Sequence, residues 1–479
     1  MISDRGTPKI PARAARIIEL LESGGATNVF IVGGFVRDFL LGIESKDVDI
    51  EVYGLSFRAI ERILSPHFHV GLVGQSFGVI KVDNMIDVAL PRRESKVGLG
   101  HKGFDVETSP NLAPEEAFSR RDFTINAIGL RRDGSFYDPF DGIGDLERKA
   151  LRATGPAFKD DPLRVLRGMQ FASRFGFTMD AETIALCREV FSEFDTLSAE
   201  RIFEEWRKWA RKSVRPELGL DVLQATGWLA GFPELNALVG CQQNPAWHPE
   251  GDVWAHTRNV CIEAAALLRE LDPAPTDDER ESVMFAALCH DFGKPLTTKL
   301  DASGALRSFG HAEAGAPLAV NFLERMKAPK KLQETVSKLV EFHMATQNFP
   351  DGVSDRAVRR LAAKLAPANI VLWATLCKAD ALGCGKVVRK LNRNEEIRFR
   401  SEPWLEAARR LAVVNSAPQP LVQGRELIAL GYRPSPFFGA ILKEAFEAQL
   451  EGEFLSREGG VEWLKARLQE SSEKNMRAS

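Results

Sequence analysis

The 479-residue chain lacks any run of about 18 uncharged apolar residues, so it offers no candidate membrane-spanning helix. Its opening segment, MISDRGTPKIPARAARIIELLES, has no apolar leader core, and a soluble, cytoplasmic protein is expected. CxxC pairs are missing too. The six cysteines (Cys187, Cys241, Cys261, Cys289, Cys377 and Cys384) are scattered, which argues for reduced thiols and against a disulfide framework or a thiolate zinc site. Neither sign of charge dominates: 63 Lys and Arg against 66 Asp and Glu leave a net charge of −3. No overall basic field advertises nucleic acid, so an anionic partner has to meet local Lys/Arg clusters. Internal repeats are lacking as well. What remains is ordinary globular composition, 44% hydrophobic and 27% charged, at a length that predicts two to four domains.

The first 150 residues or so mix strand and helix signals. Helix-spaced apolar residues over 12–23 end at Gly24-Gly25, and NVFIV (28–32) reads as a short buried strand running into Gly33-Gly34. DVDIEVY alternates polar and apolar, FGVIKVDNMIDVAL predicts a hairpin turning at Asp83-Asn84, and ESKVGLGHKGFDVETSPN (94–111) reads as a mobile loop. Beyond about residue 155 helical periodicity prevails. Polar, Pro-bearing linkers are expected at 242–252 and 272–279, and a disordered tail at 471–479.

Chemistry concentrates in GGFVRDFLLGIESKDVDIEVYG (33–54). A strand, the Gly33-Gly34 turn and a helix from about Phe35 would aim backbone N–H groups at a phosphate, with Arg37 one turn in. Period two puts Asp47, Asp49 and Glu51 on one strand face, the first two with Cα atoms about 6–7 Å apart. Adjacent like charges repel unless a cation neutralises them, so Asp47 and Asp49 are candidate Mg²⁺ ligands and Asp87 a candidate third. Read alone, DVDIE is an ordinary half-exposed strand with a solvated acidic face; its position after the glycine turn favours the metal.

These residues resemble the nucleotidyltransferase signature of the DNA polymerase β superfamily. They resemble more closely the class II tRNA nucleotidyltransferases, the CCA-adding and bacterial poly(A) polymerase enzymes. RRDFTINAIGL (120–130), YDPFDGIGDLERKALRATG (137–155), DDPLRVLRGMQFASRFGF (160–177) and LSAERIFEEWRKW (197–209) are similar to that family's following motifs, in order. The resemblance implies ribose selection by the second motif, a springy link in the third, reading of the incoming base by the fourth and helix stabilisation by the fifth.

Nucleotide-binding candidates are Gly33, Gly34, Arg37, Arg120, Arg121, Asp122, Asn126, Asp161, Arg164 and Arg167. Arg120 and Arg121 would meet triphosphate, while Asp122 and Asn126 would bond a ribose hydroxyl or hold their loop. Asp161 and Arg164, three apart, share a helix face. A carboxylate beside a guanidinium fork can pair with the amine-plus-acceptor edge shared by C and A. The same spacing also makes plain surface ion pairs. The family usually has Glu where Asp160 stands here.

Five of the eight histidines fall between residues 248 and 343. His256, His290, Asp291, His311, His343 and Asp380 occupy separate predicted helical segments, a donor set suited to one divalent ion or two. This order resembles the HD phosphohydrolase superfamily. It implies a phosphatase or 2′,3′-cyclic phosphodiesterase using Mg, Mn, Ni or Fe, with Lys294 near the scissile phosphate. His248 and Trp254 read as packing or loop residues. The stretch 386–400 is locally basic, and the segment 421–450 that follows is similar to the family's tRNA-gripping tail.

The expectation is an α+β protein: a nucleotidyltransferase head (1–153, mixed sheet with helices) followed by an all-α body. The body comprises a neck (154–240), an HD domain (241–385) and a helical tail (386–470). The implied activity is CCA addition to a tRNA 3′ end from CTP and ATP, by a monomer or homodimer. Poly(A), CC-only or A-only synthesis, or chiefly HD hydrolysis with an RNA-binding head, are the alternatives. The undeleted loop 92–118 favours full CCA addition.

Overall fold

The computed structural model describes residues 8–45, 47–71, 78–96, 104–348, 353–385 and 399–477. The chain divides into two compact units, Met1–Pro233 and Glu234–Ser479.

The first unit is built on a mixed sheet. Its strands are β1 (Asn28–Val32), β2 (Val48–Tyr53), β3 (Val70–Gly71), β4 (Val79–Val82) and β5 (Ile86–Ala89). A separate pair, β6 (Arg92–Lys96) and β7 (Phe104–Thr108), precedes β8 (Gly129–Leu130) and β9 (Phe136–Tyr137). The sheet order is β3-β4-β5-β2-β1-β8-β9, so β2 lies between β1 and β5, near the middle. NVFIV is buried from Val29 to Val32 and is an interior strand, paired along its length with β2 and at Ile31 and Val32 with β8. Asp83 and Asn84 turn the β4–β5 hairpin with φ of 51° and 56°, a conformation that, glycine aside, these residue types tolerate best. Phe30, Tyr53, Phe118 and Tyr137 pack edge-on and stacked beneath the sheet. The helix expected over 12–23 is present as Ala12–Ser23, burying Ala14, Ile17, Ile18 and Leu21.

The segment read as a mobile loop is partly ordered: β6 and β7 pair antiparallel from Arg92↔Thr108 to Lys96↔Phe104. RRESK escaped detection because its backbone pairing has no apolar alternation to announce it. Residues 97–103, including His101, lie outside the described residues, as does most of the basic stretch from Lys386.

Helices dominate the second unit, but the body expected to be all-α also carries a short antiparallel pair, Lys299–Leu300 with Leu306–Arg307, where a turn at 301–304 reverses the chain. Asp252 caps Val253–Glu270 by accepting from the Ala255 N–H, and Thr276 with Glu279 forms a capping box on Asp277–Cys289. Helices His311–Arg325, Lys330–Phe342 and Ile370–Gly383 complete the cluster. Gly293 is required here: a Cβ on it would stand 2.0 Å from the His311 carbonyl oxygen. That close approach brings His311 up to His290 and Asp291. Farther on, Gly424–Ala429, Pro436–Glu451 and Arg457–Arg477 close over Leu427, Ile441, Ala445, Phe454 and Leu464. The last helix reaches Arg477, so most of the tail expected to be disordered at 471–479 is helical. Its charged, apolar-poor sequence hid the continuation of a helix that starts at Arg457.

Candidate active sites

In the first unit Asp49 stands directly opposite Asp87, on the neighbouring parallel strands β2 and β5. Asp47 and Asp49 are exposed while Val48 and Ile50 are buried, the alternation expected of this strand. Loss of hydration to the surrounding protein, then the Asp87 charge, push the Asp49 carboxyl above the usual range; Asp47 adds to this and Arg121 opposes it. Lys81 Nζ donates to Asp87 Oδ1 at 2.7 Å. Glu51 departs from the solvated face. It is buried, bonded by the Tyr53 hydroxyl, with Arg121 at 3.0 Å and Arg120 at 3.5 Å.

Gly33 adopts φ 73° and ψ −133°, which admits only glycine comfortably. A Cβ there would point between Arg121 Nη1 (3.6 Å) and Asp49 Oδ2 (3.7 Å), so turn, cation and carboxylate meet in one place. Gly34 follows as the first residue of helix Gly34–Leu41. Clustered carboxylates beside an open glycine turn are a donor set that fits hard divalent cations.

Arg37 behaves differently from the expectation that it reaches phosphate. Its guanidinium is buried, donating to Asp38 Oδ1 at 2.6 and 2.8 Å and to Asn126 Oδ1 at 2.6 Å, with Phe171 and Phe175 stacked near it. Asn126 Nδ2 donates to Asp122 Oδ1, and Arg167 holds Asp122 Oδ2 at 2.7 Å. Burial works against an ionised Asp122, but Arg167, Asn126 and Arg164 hold its carboxyl at about 2. These bonds tie Asp122 and Asn126 into their own loop.

Asp161 and Arg164 do not pair with each other. Asp161 accepts from Arg201 Nη2 at 2.7 Å and from the Leu163 N–H. Arg164 donates to the Ala157 and Arg120 carbonyls at 2.7 and 2.6 Å. Arg201 was not singled out from sequence. Its Nη1 is buried without a hydrogen-bond partner, and its only sequence signal was membership of the motif at 197–209.

In the second unit all six predicted donors converge. His256, His290 and Asp291 form one triad and Asp291, His311 and His343 another, sharing Asp291. His290 Nε2 lies 3.1 Å from Asp291 Oδ2; His256 Nε2 lies 3.0 Å from Asp380 Oδ1; His311 and His343 meet Nε2 to Nε2 at 3.2 Å. Nδ1 of His290, His311 and His343 each faces a backbone carbonyl three residues back, of Ala287, Ser308 and Val340, at 2.7–2.9 Å. Those acceptors place the proton on Nδ1 and leave the Nε2 lone pairs facing inward. Two lone pairs 3.2 Å apart repel unless a cation or proton lies between them. His290 Nε2 and Asp291 Oδ2 are buried without a hydrogen bond in good geometry, although Lys294 Nζ is 2.7 Å from the latter. Imidazole and carboxylate donors anchored in this way fit one or two divalent metal ions.

Burial disfavours the charged form of Asp291, yet His290, Lys294 and His311 hold its carboxyl well below the usual range. Burial, then the neighbouring His290 and His311, pull His343 down to about 3, so it is neutral and available as a ligand. Lys294 also donates to Gln243 Oε1 at 2.6 Å. His248, read from sequence as a loop residue, lies beside this site: its Nδ1 and that of His256 are each 2.8 Å from Glu250 Oε1.

A sheet presenting paired carboxylates beside a glycine turn, joined in one chain to a helical His/Asp centre, defines a nucleotidyltransferase with an HD domain. The family described as "Poly A polymerase head domain" matches residues 29–152, "HD domain" matches 253–379, and "Probable RNA and SrmB- binding site of polymerase A" matches 176–238. The Multifunctional CCA protein of Hahella chejuensis is 35% identical over 413 residues, 84% of this chain and 90% of that one. Its counterpart in Pasteurella multocida is 38% identical over 322 residues, 66% of this chain and 73% of that one. The chain belongs to the multifunctional CCA protein family. Its fold matches that of the Bacillus stearothermophilus CCA-adding enzyme in complex with CTP (TM-score 0.62, 22% identity, 96% of this chain and 98% of that one). It also matches the Thermotoga maritima CCA-adding enzyme complexed with tRNA (TM-score 0.58, 18% identity, 98% and 97%). Among the described residues no helix is long and apolar enough to cross a membrane.

Proposed function

We propose that this protein adds or repairs the 3′-terminal CCA of tRNA from CTP and ATP, releasing pyrophosphate. We propose further that its HD domain hydrolyses phosphate esters, a 2′,3′-cyclic phosphate in particular. The observation that carries the first reading is the placement of Asp49 opposite Asp87, next to Gly33 and Arg121. Asp47 and Asp49, with Asp87 as a third, would hold Mg²⁺, which supplies charge neutralisation for a triphosphate and an activated hydroxyl nucleophile.

The side chains have separable tasks. Gly33 leaves room for phosphate against the backbone, and Arg121, with Arg120, faces its negative charge. The Arg37–Asn126–Asp122–Arg167 chain fixes the loop that carries both arginines. Asp161 accepts from the exocyclic amine of C or A, and Arg164 donates to the adjacent ring acceptor. Each exchanges a protein partner for the base, and Arg201 holds Asp161 in place until then.

For the HD domain the supporting observation is the convergence of six donors with inward Nε2 atoms. A divalent metal held there supplies Lewis-acid polarisation of a phosphoryl oxygen. Lys294, beside Asp291, meets the ester's charge.

The test is a tRNA ending at the discriminator base, incubated with CTP alone, ATP alone, or both. Two added nucleotides with CTP, none with ATP and three with both are expected. A long tail with ATP alone makes the protein a poly(A) polymerase instead, and a stop after CC with both nucleotides makes it a CC-adding enzyme.

A further inference from the structure

We infer that Glu250 is a positioning residue for the HD metal centre, acting through His256. This rests on the metal reading proposed above. Three of the four histidines in the centre are oriented by backbone carbonyls three residues back in the chain. His256 alone is oriented by a carboxylate: its Nδ1 lies 2.8 Å from Glu250 Oε1. A carbonyl fixes a ring; a carboxylate also carries a full charge, which draws the Nδ1 proton and makes Nε2 a more basic donor. His256 Nε2 in turn faces Asp380 and Asp291, at 3.0 and 3.8 Å.

Glu250 is itself held. Oε1 receives a second N–H, from His248 Nδ1 at 2.8 Å, and only 7% of the Glu250 side chain is exposed. Its ion-pair partners among the described residues are the two imidazoles. The segment that reads as a linker, 242–252, therefore delivers a charged support to the metal ligand six residues further on. His248 Nδ1 also lies 3.8 Å from Cys384 Sγ, so His248, Glu250, His256 and Cys384 form a second donor cluster sharing His256 with the first. Because Glu250 already accepts both Nδ1–H groups, those protons occupy the positions a metal would need, and support is favoured over a second ion.

The experiment is titration of the full-length chain with Co²⁺, whose visible absorption reports its ligands. An Asp49→Asn background weakens uptake by the head. Glu250→Gln is expected to weaken Co²⁺ binding about 10- to 100-fold without lowering nucleotide-independent stability, and Glu250→Asp to recover part of that loss. His248→Gln, which removes one N–H from the carboxylate, should weaken binding in the same direction but less. Unchanged affinity in both Glu250→Gln and His248→Gln overturns the inference while leaving the metal reading intact. No Co²⁺ uptake beyond that of His290→Ala overturns both. A thiolate-to-cobalt band that vanishes in Cys384→Ser places the ion on the second cluster and overturns the positioning role.

Discussion

Asp49 is held by the fold where its charge is unwelcome. Asp87 faces it across the strand pair, Asp47 lies nearby, and the surrounding protein strips away hydration, so its carboxyl sits above the usual carboxylate range. A group whose pKa rises on folding costs stability once it is ionised. The cost is present in full at pH values above the raised one, fades as pH falls through it, and is gone below the ordinary Asp value of about 3.9. Asp49→Asn should therefore melt slightly higher than the parent in chelator at neutral pH, with the gain shrinking on acidification. Incorporation should fall by about 10²–10³-fold or more, the scale of losing a principal electrostatic stabiliser. A lower melting temperature for the variant at neutral pH would remove the argument that a cation is needed to reconcile these charges. The alternation DVDI made this pair legible in the sequence. The partners of Arg37, Asp161 and Arg164 were not legible, because each guanidinium or carboxylate is claimed by groups brought in from afar. Asn126 is 89 residues from Arg37, and Arg201 is 40 from Asp161. Spacing on one helix cannot foresee a competitor supplied by another.

At the scale of elements, the turn from β1 into helix Gly34–Leu41 carries most of the head's local information. Gly33 has φ 73° and ψ −133°, and a methyl placed there would meet Arg121 Nη1 and Asp49 Oδ2 only at ordinary contact distances. The penalty of Gly33→Ala is thus in the backbone, about 1–3 kcal/mol of stability, and in the space the methyl takes from a phosphate. Urea unfolding should show that loss, and the KM for both CTP and ATP should rise. Wild-type stability together with wild-type KM would show that the turn is only a connector. This turn, the Asp83-Asn84 hairpin and the helix over 12–23 are readable because glycine punctuation and apolar spacing coincide there. The β6–β7 pair is not, since its strand RRESK is made of charged and small polar residues, and pairing in register is a property of two segments together. Gly293 lies between these cases. Its place after His290-Asp291 is visible in the sequence, but its reason, the approach of the His311 carbonyl, appears only in the packed structure.

Across the whole molecule, two centres of different chemistry occupy two compact units. The head centre is made of carboxylates open to solvent, suited to hard cations that arrive with a nucleotide. The HD centre is made of buried imidazoles whose Nδ1 atoms are already tied to acceptors, with buried Asp291 and half-buried Asp380, and is suited to a resident ion of intermediate softness. Neither donor set includes a residue of the other unit, so the two activities should be separable by single substitutions. His290→Ala removes an inward Nε2 from the second centre and leaves Asp47, Asp49 and Asp87 untouched. It should abolish hydrolysis of a 2′,3′-cyclic phosphate to a phosphomonoester while the rate of C and A incorporation stays at the parental level. Asp49→Asn should do the reverse. Chelator treatment followed by gel filtration adds a control, since restoring Mg²⁺ alone should recover incorporation whether or not the buried centre is reloaded. If His290→Ala slows incorporation as much as hydrolysis, with an unchanged melting temperature, the units are coupled in function and the assignment of one reaction to each is wrong.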